Sequence, residues 1–152
     1  MTLSESLLRK LSEWSPAGAG RHSMTHTDLG RTVTLTADRA DSLSCLVWEL
    51  AVTTPEPVAL RDWAAAVAKR VTGLVEPLTV HEIDAGRGEA VLRSTAPSAK
   101  GGALAYYEVK LHADGRADVR RYHGSKAAPG REQVAFALTH EVLAKLAEDV
   151  VA

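Results

Sequence analysis

The chain has 152 residues, 45% of them hydrophobic and 24% charged, with a formal net charge of −1 and one cysteine. That length suits one domain, residues 1–152, able to bury about two thirds of its unfolded surface in a single core. The charge balance withholds the bulk basic attraction that nucleic-acid binders use, Cys45 alone cannot close an internal disulfide, no run approaches the roughly 18 apolar residues of a membrane span, and no secretory leader pattern opens the chain. The expectation is a cytoplasmic protein with neither a nucleic-acid nor a membrane partner.

The opening "TLSESLLRKLSEW" has helical periodicity: Leu3, Leu7, Leu8, Leu11 and Trp14 share a stripe, while Glu5, Arg9, Lys10 and Glu13 lie elsewhere. Thr2 and Glu5 have capping-box spacing, in which each side chain satisfies a free backbone N–H of the first turn. "SPAGAG" stops the helix. "HSMTHT", His22 to Thr27, reads as an edge strand.

From Arg31 the period falls to two, with Val33, Leu35 and Ala37 alternating with threonines. A five-residue loop from Ala37 to Leu43 would set Leu35 opposite Cys45 and Val33 opposite Val47. "LSCLVWELAV" then shows apolar residues at both parities, the mark of a central strand covered on two sides.

"TTPEPVALRDWAAAVAKRVTG" is predicted as a helix capped by Thr54 and ended by Gly73, with Leu60, Trp63, Ala64, Val67, Val71 and Leu74 as its apolar stripe. Four strands follow without an intervening helix: "LTVHEI", "EAVLRST", "LAYYEVKLH" and "RADVRRYH". Short links imply an antiparallel meander. The connection from Thr95 to Leu104 is long for a hairpin, a length associated with function or mobility.

Between the last two strands, a two-residue Asp114-Gly115 turn would set Leu111 against Asp118 and Val109 against Arg120, burying charge. A three-residue loop, Ala113-Asp114-Gly115, places glycine at the left-handed position and pairs Leu111 with Ala117 and Val109 with Val119. The other face then pairs Lys110 with Asp118, Glu108 with Arg120 and Tyr106 with Tyr122, and this register is the prediction. "GREQVAFALTHEVLAKLAEDVVA" closes the chain as one long helix. The fold class expected is α+β: a mainly antiparallel sheet of six to seven strands with three helices, in the order α-β(2-3)-α-β(4)-α.

No metal, cofactor or catalytic signature survives scrutiny. His22 and His26 would converge only on a helix, and His81-Glu82 and His140-Glu141 each lack the second histidine of the zinc-protease pattern. Glu82, Asp84 and Glu89 flank a hairpin turn where carboxylates are solvated. Cys45 sits inside an apolar strand as an inert thiol. "GAGRHS", "SAKGG" and "GSKAAPG" do not match phosphate-cradle spacing, and the basic and aromatic mixture of Arg116, Arg120, Arg121 and Tyr122 is balanced by acids across the ladder.

What remains is the second face of the central strand, where Leu46, Trp48 and Leu50 would form an apolar patch beside Thr32, Thr34 and Thr36. Such a patch marks a partner site, with self-association its commonest use. The functional expectation is a non-enzymatic protein-binding or assembly module, chaperone- or adaptor-like, forming a homodimer and open to a protein partner. The alternative is a small-molecule-binding domain or enzyme with its site between sheet and helices, using His81, Glu82, Tyr106 or Tyr122. The element order resembles that of type III secretion chaperones, although no motif carries the likeness and the strands after the second helix depart from it.

Overall fold

The computed structural model describes residues 1–55, 59–94, 98–100, 103–125 and 128–151. In chain order the elements are α1 (Leu3–Glu13), β1 (His22–Asp28), β2 (Arg31–Ala40), β3 (Ser44–Thr53), α2 (Leu60–Arg70), β4 (Leu78–Asp84) and β5 (Glu89–Ser94). They continue with β6 (Ser98–Lys100), β7 (Ala103–His112), β8 (Arg116–Ser125), β9 (Ala128–Val134), β10 (Phe136–Thr139) and α3 (His140–Val151). The class is α+β with three helices, and the strands form one antiparallel sheet, ordered β1-β2-β3-β8-β7-β5-β4 along its main path. Ten strands are present among the described residues, above the expected six to seven, because β6 falls in the expected 95–104 connection and β9 and β10 fall largely within the segment expected as the long C-terminal helix.

The first helix follows its sequence closely. Thr2 Oγ1 accepts the Glu5 N–H at 3.1 Å and the Glu5 carboxylate accepts the Thr2 N–H at 3.0 Å, completing the capping box. Leu3, Leu7 and Leu11 are buried. The second helix starts later than expected. Its N-cap is Ala59, not Thr54, whose N–H instead donates to the Gly115 carbonyl at 2.9 Å. It stops at Arg70, ahead of Gly73, while Val71 and Leu74 still reach the core through the following turn. The expected proline-marked first turn includes residues 56–58, which lie outside the described residues. The connection after Thr95 yields β6, which folds back on β7, while residues 95–97 and 101–102 lie outside the described ones.

The long C-terminal helix is corrected. Among its described residues only His140–Val151 is helical, and Gly130–Val134 and Phe136–Thr139 are strand. Phe136 and Leu138 are buried while Ala137 and Thr139 are exposed, a period of two that becomes decisive once an open ladder edge is available beside it. Thr139 Oγ1 then accepts the Val142 N–H at 3.2 Å and caps α3.

That open edge is a fork in the sheet. β3 pairs with β8 only through Leu50–Thr53 and Arg116–Val119. Beyond this stretch the two strands part, β9 pairing with β8 and β10 with β3, and the chain reverses at Ala135. Gln133 Nε2 donates to the Trp48 carbonyl at 2.9 Å across the fork, replacing a ladder bond that parting strands cannot make.

The core lies between one face of the sheet and all three helices. Val33, Leu35, Val47, Leu50, Val52, Leu92, Val109, Leu111 and Val119 supply the sheet side, and Leu143, Leu146 and Val150 of α3 press on it. Trp63 of α2 donates its indole N–H to the Val150 carbonyl at 2.7 Å, joining α2 to α3.

Candidate functional site: the helix-free face of the sheet

On β3 the parity slips. Thr36 pairs with Glu49 and Ala37 with Val47, so Trp48 is an extra residue, and Asp38 is likewise extra on β2. Such a bulge bends the strand and turns two consecutive side chains to one side. Trp48 and Glu49 therefore both project away from the helices, while Cys45, Val47, Leu50 and Val52 all point into the core. Leu50 is 0% exposed and leaves the expected patch, whereas Leu46 and Trp48 remain partly exposed. The β2–β3 register is corrected with it: Leu35 faces Leu50 and Val33 faces Val52, β2 running on to Ala40 before the turn. Both-parity apolarity in this strand reports a bulge and not cover on two sides.

Around Trp48 a band of stacked cations and aromatic rings crosses the helix-free face. Arg21 lies over the Trp48 ring, 3.4 Å from its centroid, and its Nε donates to Asp38 at 2.7 Å. Arg120 donates to Glu49 at 2.6 Å and to the Tyr122 hydroxyl at 3.5 Å. Arg131 covers Tyr122 at 3.7 Å, donates to the Tyr106 hydroxyl at 3.1 Å and grips Glu108 through both terminal nitrogens. Arg93 reaches Glu108 at 3.0 Å and His81 Nε2 at 3.2 Å. Tyr106 and Tyr122 stand 6.1 Å apart between centroids. The band thus runs from β2 to β4, with four guanidiniums facing three carboxylates.

The β7–β8 register that builds half of this band agrees with expectation in every pair: Leu111 with Ala117, Val109 with Val119, Lys110 with Asp118, Glu108 with Arg120 and Tyr106 with Tyr122. The ion pairs do not follow the ladder. Glu108 turns to Arg93 and Arg131, Arg120 to Glu49, Lys110 to Glu89, and Asp118 to His112. Guanidiniums on neighbouring strands reach the same carboxylate bidentately or in pairs, geometry that direct cross-strand partners cannot match. Arg131 and Arg21 carried no sequence signal, because their strand and loop contexts become visible only with the fork and the bulge.

Glu108 is only 6% exposed. Burial alone would raise its carboxyl, but hydrogen bonds and charge from Arg131 and then Arg93 outweigh it and hold the group below its ordinary value. Burial, helped by the charge of Asp41, pushes the Cys45 thiol up to about 11, leaving it protonated at neutral pH.

The four residues suggested for a site between sheet and helices do not gather there. Tyr106 and Tyr122 belong to the helix-free band, and His81 and Glu82 are exposed on β4. His22 and His26 lie four residues apart along β1, about 13 Å in a strand, and His26 is bonded to Ser6 at 2.9 Å. Among the described residues no group of three or more metal-ligating side chains gathers, and no helix is long and apolar enough to cross a membrane. A half-open cleft of about 510 Å³ sits at the end of the sheet beside the β2–β3 turn, lined by His22, Asp38, Arg39, Asp41 and Ser44 among others.

Comparison with family models, with curated proteins and with solved structures gives no match for this chain.

Proposed function

We propose that the protein is a non-enzymatic binding or assembly module that holds another polypeptide, first of all a second copy of itself, against the helix-free face of its sheet. The observation that carries this reading is the band around Trp48. Tryptophan, tyrosine and arginine are the residues that dominate the energetics of protein interfaces, and here Trp48, Tyr106, Tyr122 and four arginines occupy one face. Leu46 adds apolar surface on β3 beside Trp48. Alternating guanidiniums and carboxylates allow the face to meet a copy of itself without like charges accumulating. The stacking of Arg21 on Trp48 and of Arg131 on Tyr122 already fixes these side chains, which lowers the entropy lost on docking. The reading places the protein in the cytoplasm, where the lone buried thiol stays reduced.

The test is light scattering on a size-exclusion column across concentrations, for the wild type and Trp48→Arg. A wild-type mass of at least a dimer, with the folded variant at half that mass, is the expected result. A wild type that stays monomeric would sink self-association through this face. The second reading, a small-molecule site, is favoured only by the cleft near His22, whose Nε2 is buried without a partner among the described residues. Ligand screening by thermal shift would follow that monomeric outcome.

A further inference from the structure

The two edges of the sheet are built differently. The outer strand β4 has a bulge between Val80 and Glu82 and displays His81, Glu82 and Asp84, which bend and charge an edge against pairing. β1 has no bulge, and its one acidic residue, Asp28, stands at its end. Its register with β2 runs unbroken through seven pairs, from His22 with Ala37 to Asp28 with Arg31, and it contains no lysine, arginine or proline. A straight strand with no lysine or arginine and one acidic residue at its end, its outer edge unpaired among the described residues, is a template for another strand.

The sequence of β1 also reads compatibly from both ends. In "HSMTHTD", an antiparallel copy related by a two-fold axis through Thr25 brings Thr25 against Thr25, Ser23 against Thr27, Met24 against His26 and His22 against Asp28. On the helix-free face the hydroxyls of β1 are already paired inward with β2: Ser23 with Thr36 at 3.0 Å, Thr25 with Thr34 at 3.4 Å and Thr27 with Thr32 at 3.2 Å. A second copy extends these rows across the axis as hydroxyl pairs, which stabilise cross-strand neighbours. On the helix side Ser6 holds His26 at 2.9 Å and Asp28 Oδ2 at 2.9 Å, which leaves Asp28 Oδ1 to face His22 of the second copy.

We propose that two copies of this chain pair through their β1 strands, antiparallel about Thr25, to form one sheet continuous across the dimer. This surface is separate from the face centred on Trp48. The edge joins sheets side by side and leaves the helix-free faces of both copies open on the same side.

The dyad supplies the test. Thr25 is exposed, so Thr25→Lys and Thr25→Glu each leave the fold intact, as circular dichroism will verify. In the proposed dimer either variant sets two like charges directly opposite each other. Each alone is expected to show half the wild-type mass by light scattering, and an equimolar mixture is expected to recover the wild-type mass through lysine–glutamate pairs. A wild type that is monomeric, variants that keep the wild-type mass, or a mixture that stays at half mass would overturn the proposal. Trp48→Arg separates the two surfaces. If it alone halves the mass, the edge pairing is lost and the face reading stands; if only the Thr25 charges do, the edge pairing stands and self-association through the face is lost.

Discussion

Glu108 joins the two halves of the helix-free band, since Arg93 comes to it from β5 and Arg131 from β9. Its carboxyl is held below the ordinary value of 4.5, so the stability it contributes is present above that pH and is lost as pH falls through the lower folded-state value. Glu108→Gln removes the charge and leaves two guanidiniums without their anionic partner. Because both arginines are about one third exposed and can regain water, the expected cost is about 2 kcal/mol at neutral pH, less than for a fully buried pair. Urea melts between pH 3 and 7 should show a smaller acid-side loss in the variant than in the wild type. An unchanged pH profile would mean that Glu108 is not the group responsible. That Glu108 would face Arg120 was readable from alternation and turn chemistry, whereas its ionic partners were not. Side chains as long as arginine choose among carboxylates on neighbouring strands, and neighbouring strands are a tertiary fact.

At the scale of elements, the β7–β8 hairpin shows why local rules succeed. Gly115 has φ +99°, the left-handed region that the three-residue loop requires, and a β-carbon there would collide with the Thr54 carbonyl oxygen. Gly115→Ala is therefore expected to destabilise the protein by more than about 2 kcal/mol, as backbone strain adds to the collision. Thermal or chemical denaturation of the variant checks this, and a loss under about 0.5 kcal/mol would contradict the turn geometry. Where an element depends on a distant partner, local reading fails. The stretch from Phe136 to Thr139 lies in a sequence that also suits helix, and it becomes strand because β3 offers it the Ser44–Val47 edge. The bulge at Trp48 is of the same kind: both parities of β3 are apolar, so alternation alone gave no sign that Leu50 and Trp48 belong to opposite faces.

At the scale of the whole molecule, the segment after Ser125 holds the fork together. It provides β9 and β10 and then α3, whose Leu143, Leu146 and Val150 are buried along with Phe136 and Leu138. With each such side chain worth about 2 kcal/mol, their joint loss approaches the entire stability of an ordinary domain. A chain ending at Ser125 is therefore expected to show no cooperative thermal transition by circular dichroism, and a sharp melt would show that the first 125 residues fold without β9, β10 and α3. By itself the sequence determined the α+β class, the three helices, the capping box at Thr2, the paired register of β7 and β8 and the buried state of Cys45. These depend on periodicity, caps and turns, which act over a few residues. Tertiary structure alone decided the fork, the extra strands β9 and β10, the removal of Leu50 from the helix-free face and the gathering of Arg21, Arg93, Arg120 and Arg131 around Trp48, Tyr106 and Tyr122. Those features arise from contacts between residues far apart in the chain, where ladder edges and long cationic side chains select their partners by proximity in space.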